Sequence, residues 1–403
     1  MRILISGASI AGPVLAYWLA RGGFDVTVVE RAPALRKTGG HAVDLFRPSM
    51  EISAKMGVLP RIESLATGTD RLTLYREGRS HPAPVDLTKI VAAASDQHVE
   101  IMRDDLSEAY YDAGREHIEY VFGDSITAIS HDGEVTFEQG ATRRFDVIVG
   151  ADGLHSNVRR LVFGEEAGLT RFIGGYLAVV SVPKSLAPEG EMILHAGVGR
   201  MAGIYTAQHL DDARALFMFR SKTELDYHYR DTLRQKELLC DALGGLAEQA
   251  DRWLAEVGHT PSFYFDSISQ LALGILSRGR VTLVGDAGYC PGPAVGGSTS
   301  LAVIGAYVLA RELIAASGDH LRAFAAYQQE MADSVSRSRV FARGTARTLL
   351  PGSAVGVWAV TRGVQLVSSL PTPFTRSVAR LNTKGVRLHD SMPVPDYPEL
   401  ERQ

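Results

Sequence analysis

The chain has 403 residues, 45% of them hydrophobic, which is enough to bury one large core or two of moderate size. Its formal charge is −4, from 42 basic and 46 acidic side chains without a basic block, and this argues against a nucleic-acid partner. The two cysteines, Cys240 and Cys290, have neither CxxC nor Cys/His ligand spacing, which predicts a reducing cytoplasm and no metal site.

Two apolar stretches resemble membrane elements at first sight. The N-terminal "MRILISGASIAGPVLAYWLARGG" is interrupted by Gly7, Gly12 and Pro13, which is not typical of a signal peptide. The helix predicted after Ser300 is apolar only as far as Arg311, too short to cross a bilayer. We therefore expect a soluble, cytoplasmic protein with no membrane span, and we expect it to be a monomer.

The first thirty residues predict a strand, a tight turn, a helix and a second strand. The turn reads Gly7-Ala8-Ser9-Ile10-Ala11-Gly12, a G-x-G-x-x-G dinucleotide fingerprint in which serine replaces the middle glycine. Glu30 ends the second strand, where a carboxylate can accept hydrogen bonds from a ribose hydroxyl. This pattern predicts a site for NAD or FAD. The alternative is a tight turn of another α/β domain, with Glu30 in solvent.

Two more predicted strands lead into turns that carry an aspartate. One is followed by Asp152-Gly153, after which Ser156 is placed to cap a helix. The other, at 280–284, is followed by Gly285-Asp286 and a loop rich in glycine and proline, before a helix that begins near Ser298. In both cases a strand delivers an aspartate to a glycine-rich turn.

The three motifs resemble those of the flavoprotein aromatic hydroxylases, the single-component FAD monooxygenases of the para-hydroxybenzoate hydroxylase type. They lie near residues 7–30, 150–160 and 280–300, so the resemblance covers nearly the whole chain. It implies an α/β fold with a Rossmann-like (GR2-type) FAD-binding domain, an inserted mixed β-sheet substrate domain and a C-terminal helix. It also implies FAD as the cofactor and NADPH or NADH as the cosubstrate.

The resemblance implies a division of the chain into three parts. The FAD-binding domain takes 1–170 and 271–348, with strands from 70–103 on the substrate side, and the substrate sheet and the C-terminal helical segment take 171–270 and 349–390. Within these parts the patterns predict strands at 174–183, 191–206, 214–220 and 262–269, and helices at 231–256, 320–347 and 349–382. Residues 197–203 ("GVGRMAG") are interpreted as a hairpin turn and not as a second dinucleotide site.

A closer resemblance is to the tetracycline-inactivating branch, the tetracycline destructases. It rests on "LRKTGGHAVDL" (35–45), "FMFRS" (217–221), "FYFDSISQ" (263–270) and "GDAGYCPGP" (285–293). It implies that Lys37 lies near the NADPH path and that Arg200, Phe217 and Phe219 line the substrate pocket. The alternatives without a substrate contact are a hydrophobic-core position for the two phenylalanines and a surface position for the arginine.

The cofactor-binding residues expected from the motifs and the resemblance are Gly7, Ser9, Ala11, Gly12, Glu30, Arg31, Asp44, Arg103, Asp152, Gly285, Asp286, Pro293, Gly296 and Gly297. In this scheme Asp286 accepts hydrogen bonds from the ribityl hydroxyls, and residues 293–297 lie against the isoalloxazine. The helix N-terminus near Ser298 favours negative charge on the reduced flavin by about 0.3–2 kcal/mol. The loop departs from the family pattern at Gly288-Tyr289 and Gly297-Ser298.

The implied activity is hydroxylation of a polycyclic phenolic or enolic molecule through a flavin C4a-hydroperoxide, and a tetracycline-like antibiotic is the leading substrate. Because the cofactor carries this chemistry, the sequence names no obligatory catalytic base and no metal. His41 and His195 are expected to be ordinary polar residues. The alternatives are a biosynthetic hydroxylase or epoxidase of an aromatic polyketide, and a flavoprotein that sequesters its ligand. A role for the C-terminal helix in gating the pocket is a further hypothesis.

Overall fold

The computed structural model describes residues 1–35, 40–95, 97–164, 168–228, 230–260, 262–293 and 297–369, together with Asp390, Met392 and Val394. The strands are β1 (Arg2–Ser6), β2 (Asp25–Glu30), β3 (Ala42–Phe46), β4 (Arg71–Arg76), β5 (Ala83–Asp86), β6 (His98–Met102), β7 (Glu119–Phe122), β8 (Ile126–Ile129), β9 (Glu134–Phe137), β10 (Arg143–Arg144), β11 (Val147–Gly150), β12 (Thr170–Pro183), β13 (Glu191–Gly197), β14 (Arg200–Tyr205), β15 (Asp212–Arg220), β16 (Phe263–Leu271), β17 (Ser277–Arg278) and β18 (Val281–Leu283).

The helices are α1 (Ala11–Arg21), α2 (Arg47–Lys55), α3 (Leu59–Ser64), α4 (Leu87–Ala94), α5 (Arg103–Gly114), α6 (Asn157–Phe163), α7 (Thr232–Leu243), α8 (Glu248–Ala255), α9 (Asp286–Tyr289), α10 (Ser298–Ala315), α11 (His320–Leu349) and α12 (Ala354–Ser369). Of the described helices, α10 has the length and apolar composition of a membrane span, and 67% of it is buried inside the protein.

The first sheet has the strand order β17-β18-β11-β1-β2-β7. All of its pairings are parallel except the one between β17 and β18. One face packs on α1, α5, α10 and α11, and the other packs on the small β8–β10 sheet and α6. Its strands are therefore buried on both faces and read as continuous apolar runs such as "VIVG", which is the whole of β11.

A larger sheet has the order β16-β12-β15-β14-β13-β4-β5. Two of its strands, β4 and β5, come from early in the chain, and β4 joins the others by parallel pairing with β13. One face is covered by α7 and α8, and the other packs on α11. Strands β3 and β6 form a separate two-stranded ribbon. Hydrogen bonds at residues 41 and 42 connect the ribbon to α5 and to β14 of the large sheet.

The architecture confirms the expected mixed α/β fold with its parallel sheet, second sheet and C-terminal helices. The predicted hairpin is confirmed, since β13 and β14 pair across the turn at residues 198–199. The prediction of one helix over 231–256 is wrong. The chain forms α7 and α8, which are interrupted at Gly244-Gly245, where Gly245 has a φ of +74°. That conformation favours glycine and ends a helix.

Candidate functional site

The three sequence motifs meet at one edge of the parallel sheet. Strands β1, β2, β11 and β18 run in the same direction, so their carboxyl ends lie side by side. Backbone hydrogen bonds continue past the strand ends, from the N–H of Ala151 to the carbonyl of Ser6 at 2.8 Å and from Val284 to Gly150 at 2.9 Å. In an open α/β sheet this edge is where ligands bind.

Close backbone contacts explain the glycines of the first turn. A Cβ on Gly12 would lie 1.9 Å from the carbonyl oxygen of Gly7, and a Cβ on Gly7 would lie 2.5 Å from that of Ala151. Gly7 also has a φ of +110°. Gly285 also lies against the first motif, since its Cβ would lie 3.2 Å from the Cβ of Ala11. The glycines therefore allow the first turn to pack closely against the end of β11 and against the start of α1.

Glu30 holds the same turn from the end of β2. Its carboxylate accepts hydrogen bonds from the N–H groups of Ala8 and Ala32, both at 2.9 Å. No side chain in the described part of the protein caps α1, whose N-cap residue is Ile10. The first N–H groups of this helix therefore favour an anion such as a pyrophosphate. Arg31, also predicted to bind the cofactor, is exposed just after Glu30.

Ser9 connects the turn to the N-terminus of α5. The guanidinium of Arg103 donates to its hydroxyl at 3.1 Å, and the hydroxyl of Ser107 donates to its carbonyl oxygen at 2.9 Å. The serine that departs from the fingerprint therefore holds the guanidinium of Arg103 in place. A glycine at this position has no hydroxyl with which to hold Arg103.

Arg103 influences the pKa values of two buried groups at the centre of the site, Asp286 and His41. Burial raises the pKa of Asp286, and the positive charge of Arg103 acts against that rise. Burial and the charge of Arg103 together lower the pKa of His41 to about 4, although the charge of Asp44 acts in the opposite direction. His41 is consequently neutral at physiological pH, and its ring lies 6.0 Å from that of Tyr264, centre to centre.

The carboxylate of Asp152, predicted to bind the cofactor, is held by the start of the next helix. It accepts hydrogen bonds from the hydroxyl of Ser156 at 2.5 Å and from the N–H groups of Asn157 and Val158 at 2.9 and 3.1 Å. Burial raises its pKa, and these donors counteract the rise. Asp152 thus caps α6 from outside, because its oxygens satisfy the free N–H groups of that helix. Ser156 caps the same helix, as predicted, through the N–H of Arg159 at 3.0 Å.

Arg159 is a residue whose role the sequence did not indicate. It is 1% exposed, and its guanidinium donates to the carbonyl oxygens of Leu154 and, at 3.0 Å, Ala287. It therefore joins the second motif to the third. An arginine one turn into a helix after a DG turn is a weak signal by itself, because most arginines are exposed.

The departures in the third motif are partly explained by packing. Tyr289 is buried, and its hydroxyl packs directly against Gly305 of α10. A Cβ at Gly305 would lie only 1.8 Å from this hydroxyl oxygen. Its hydroxyl also accepts a hydrogen bond from Tyr327 at 3.3 Å. Tyr289 therefore fills a groove in α10. Gly297 has a φ of +81° just before α10, and nothing in the described part of the chain explains Ser298, the first residue of that helix.

Phe217 and Phe219 lie on the face of the large sheet opposite to the one expected. Both are buried against α7 and α8, in the cluster that also contains Trp253. The alternate residues Leu216 and Met218 lie on the other face, as does Tyr264, whose pKa is raised by burial and influenced by Arg103 and Asp286. The face turned toward the motifs is therefore the one with Tyr264. Phe217 and Phe219 lie on the opposite face, against α7 and α8, as in the hydrophobic-core alternative, and their role in the substrate pocket stays a prediction.

Arg200 is also placed away from that face. Its guanidinium donates to Glu77 at 2.6 Å and to the carbonyl of Gly244 at 3.1 Å. These bonds tie the β13–β14 hairpin to the end of α7, so the arginine is a structural crosslink. His195 is held in a similar structural way, stacked on Tyr75 at 4.9 Å between ring centres.

Asp44 lies on β3 of the two-stranded ribbon and not at the sheet edge where the three motifs meet. Its carboxylate is 2.6 Å from Nε2 of His98 on the neighbouring strand β6. Pro293 and Gly297 are described, while Lys37 and Gly296 lie outside the described residues. The roles predicted for these two residues stay predictions.

A cavity of about 910 Å³ separates α12 from the β4–β5 hairpin. Trp358 and Leu366 of α12 face it and are 52% and 63% exposed, while Val85 on the opposite wall is buried. The helix thus stands off the sheet edge along part of its length. The predicted helical segment continues to residue 382, of which residues 370–382 lie outside the described part.

Comparison with known proteins agrees with this geometry. A family model described as FAD binding domain matches residues 1–337. The chain is 41% identical over 346 residues to the uncharacterized protein Rv1260 of Mycobacterium tuberculosis (strain ATCC 25618 / H37Rv), with 84% of this chain and 91% of that one covered. It is 34% identical over 343 residues to a flavin-dependent monooxygenase of an unknown prokaryotic organism, with 84% and 88% covered.

Among solved structures, the chain is similar to the tetracycline destructase Tet(55). The identity is 30% and the TM-score 0.82, with 98% of each chain covered. The structure of Klebsiella pneumoniae HpxO with FAD and uric acid shares the fold, with 20% identity, a TM-score of 0.74, and 96% and 97% of the two chains covered.

Proposed function

The chain belongs to the FAD binding domain family and is an FAD-dependent monooxygenase; on this premise we propose that it takes electrons from NAD(P)H and hydroxylates a polycyclic phenolic or enolic molecule. A tetracycline-like antibiotic is the leading substrate. The observation that carries the proposal is the convergence of three strand-end motifs at a sheet edge that faces a second sheet. The similarity to Tet(55) over nearly the whole of both chains supports the choice of substrate.

The residues at the sheet edge fit the shape and charge of FAD. Gly7 and Gly12 allow the first turn to pack closely before α1, whose N-terminal N–H groups favour an anion such as a pyrophosphate. The lone pairs of Glu30 that Ala8 and Ala32 do not use can accept ribose hydroxyls. FAD, when bound, supplies the activation of O₂ and the transfer of one oxygen atom to the substrate.

The substrate is proposed to bind between the large sheet and the edge of the parallel sheet where the three motifs meet. On this face of the sheet, Tyr264 is the proposed substrate contact, because Arg103 and Asp286 influence the pKa of its hydroxyl. Leu216 and Met218 lie on the same face and pack in the cluster that includes Ala342 and Ala346 of α11. Arg103 and the neutral His41 lie between this face and the first motif. A mostly apolar cleft with a few convergent polar groups is suited to a polycyclic ligand, and it excludes water from the reaction.

Cosubstrate oxidation and product mass test the proposal together. Purified protein is expected to be yellow and to oxidise NADPH faster when tetracycline or a polycyclic phenol is added. The product is expected to be heavier than the substrate by one oxygen atom. A colourless protein that takes up no FAD would contradict the cofactor assignment. Stimulation by a polyketide phenol but not by tetracycline would favour the biosynthetic hydroxylase. Ligand binding without product or NADPH consumption would favour a sequestering flavoprotein.

A further inference from the structure

The ribbon of β3 and β6 has one apolar face and one ionisable face. Val43 and Leu45 alternate with the polar residues of β3, and Val99 and Ile101 alternate with those of β6; these four side chains are buried in the main core. The alternation therefore turns Asp44, His98 and Glu100 to the other face. The three side chains form what we call the ribbon cluster.

Register places the two carboxylates of the ribbon cluster opposite each other. Asp44 and Glu100 are directly paired residues of the antiparallel ribbon. Like charges at directly opposed positions destabilise a sheet. His98 relieves part of this repulsion, because its Nε2 lies 2.6 Å from Asp44. Glu100 accepts a hydrogen bond from the hydroxyl of Thr67 instead.

Titration of the ribbon cluster follows from this arrangement. Burial and the charge of Asp44 raise the pKa of Glu100 to about 7, although Thr67 and His98 act in the opposite direction. For His98, burial alone would lower the pKa, but the hydrogen bond and charge of Asp44, with the charges of Glu100 and Asp390, raise it. A proton on Glu100 is therefore exchangeable near neutral pH.

The ionisable face of the ribbon is turned toward the large sheet. The hydroxyl of Tyr205, on β14, accepts a hydrogen bond from the N–H of Ala42 at 2.8 Å. Arg214, on β15, donates to the carbonyl of Gly40 at 3.0 Å. Burial raises the pKa of Tyr205, and Glu100, Arg214 and Asp44 are among the charges that act on it.

The same ribbon touches the cofactor side of the cleft. The N–H of Arg103, the first residue of α5, donates to the carbonyl of His41 at 3.0 Å. The side chain of Arg103 continues to Ser9 in the first motif. The ribbon cluster thus lies between the flavin motifs and the large sheet. Within the ribbon cluster, the side chain of Asp44 is 40% exposed to solvent and that of His98 is 14% exposed.

We propose that Glu100 takes the proton of the enolic or phenolic hydroxyl of the bound substrate, with Asp44 and His98 as positioning residues. This inference rests on the proposed function and deepens it. In the step, the substrate O–H bond breaks and a bond forms between the proton and a carboxylate oxygen of Glu100. The negative charge passes from Glu100 to the substrate oxygen. The resulting anion is richer in electrons at its ring, which is what an electrophilic oxygen donor requires.

The test compares wild-type holoenzyme with Glu100→Gln and a matched variant, Glu119→Gln. Glu119 also accepts a hydrogen bond from a threonine on a neighbouring strand, Thr27, at 2.7 Å, but it lies at the far edge of the parallel sheet. The first readout is infrared absorbance of protonated carboxyl groups during a pH titration. Wild type and Glu119→Gln are expected to lose one such band near pH 7, and Glu100→Gln is expected to lack that transition.

The second readout is the pH profile of tetracycline-stimulated NADPH oxidation. For wild type and Glu119→Gln, kcat/KM is expected to rise about tenfold per pH unit below pH 7 and then to level off. For Glu100→Gln the profile is expected to be flat in this range and at least tenfold below the wild-type plateau. Glu100→Asp, which keeps a carboxylate, is expected to recover part of the activity and the pH dependence.

Outcomes separate the inference from the proposed function. If Glu100→Gln keeps the wild-type pH inflection while NADPH oxidation is stimulated in both proteins, the inference is overturned and the function stands. The inference is also overturned if the infrared band near pH 7 persists in Glu100→Gln. If neither tetracycline nor any polycyclic phenol stimulates wild type at any pH, the proposed function fails and the inference fails with it.

Discussion

The guanidinium of Arg103 donates a hydrogen bond to the hydroxyl of Ser9 at 3.1 Å, and this contact joins the dinucleotide turn to the N-terminus of α5. It gives the departure from the glycine fingerprint a physical reason. The same arginine acts on the pKa values of His41 and Asp286, so its position affects both the ribbon and the third motif.

Ser9→Ala is expected to weaken FAD binding roughly threefold to tenfold, because a hydrogen bond contributes about 0.5–1.5 kcal/mol. Loss of the hydroxyl leaves Arg103 without this anchor, while the small side chain keeps the turn intact. Titration of apoprotein with FAD, followed by flavin fluorescence, measures the change. Ser9→Thr keeps a hydroxyl and is expected to lie nearer to wild type. Ser130→Ala, which removes an exposed hydroxyl bound to Asp132, serves as the control. Equal FAD affinity in Ser9→Ala and wild type would rule out the anchoring role.

Gly12→Ala is expected to abolish FAD binding or to destabilise the protein by at least about 3 kcal/mol. The reason is steric, since the added Cβ would lie 1.9 Å from the carbonyl oxygen of Gly7. Flavin content after purification and the urea midpoint of unfolding are the measurements. Gly258→Ala is the matched control, because its Cβ meets nothing within 4 Å. A flavin-replete, wild-type-like Gly12→Ala protein would contradict the close packing of the turn.

Phe217→Leu is expected to lower the free energy of unfolding by about 1 kcal/mol and to leave the KM for substrate within twofold. The side chain is fully buried between the sheet and its helices, on the face away from Tyr264. Thermal unfolding and steady-state kinetics measured well below the melting temperature separate the two effects. A KM that rises severalfold without any loss of stability would indicate that Phe217 contacts the substrate.

Glu100→Gln is expected to become more stable relative to wild type as the pH rises from about 4.5 to about 7. The folded-state pKa of Glu100 is raised, so the protonated carboxyl stabilises the fold at low pH and this contribution is lost as pH rises through about 7. The gain over this interval is on the order of 1–3 kcal/mol. Urea unfolding at a series of pH values provides the measurement.

Glu119→Gln is the control for that prediction, and its pH dependence has the opposite sign. The hydrogen bond from Arg143 holds the pKa of Glu119 below its ordinary value, with Thr27 contributing. Its carboxylate therefore stabilises the fold above the unfolded-state pKa, and the variant is expected to lose stability at neutral pH relative to acid pH. Identical pH dependence in the two variants would contradict the burial of Glu100 beside Asp44.

Features set by local contacts could be predicted from the sequence. The fingerprint turn, the Ser156 cap and the β13–β14 hairpin depend on residues a few positions apart, and the structure has all three. The break at Gly244-Gly245 also had a local signal, a pair of glycines within a helical pattern. The meeting of the three motifs followed from parallel strands, whose carboxyl ends share one edge.

Only the tertiary structure decided which layer covers each sheet face and which distant residues pair. Strand alternation puts Phe217 and Phe219 on one side of β15, but it does not tell whether helices or the cofactor cleft lie there. The alternation of His98 and Glu100 with apolar residues was visible in "HVEIM", yet the partnership with Asp44 needs the register of a long-range strand pair. Burial and charge proximity depend on that register, and so does the raised pKa of Glu100.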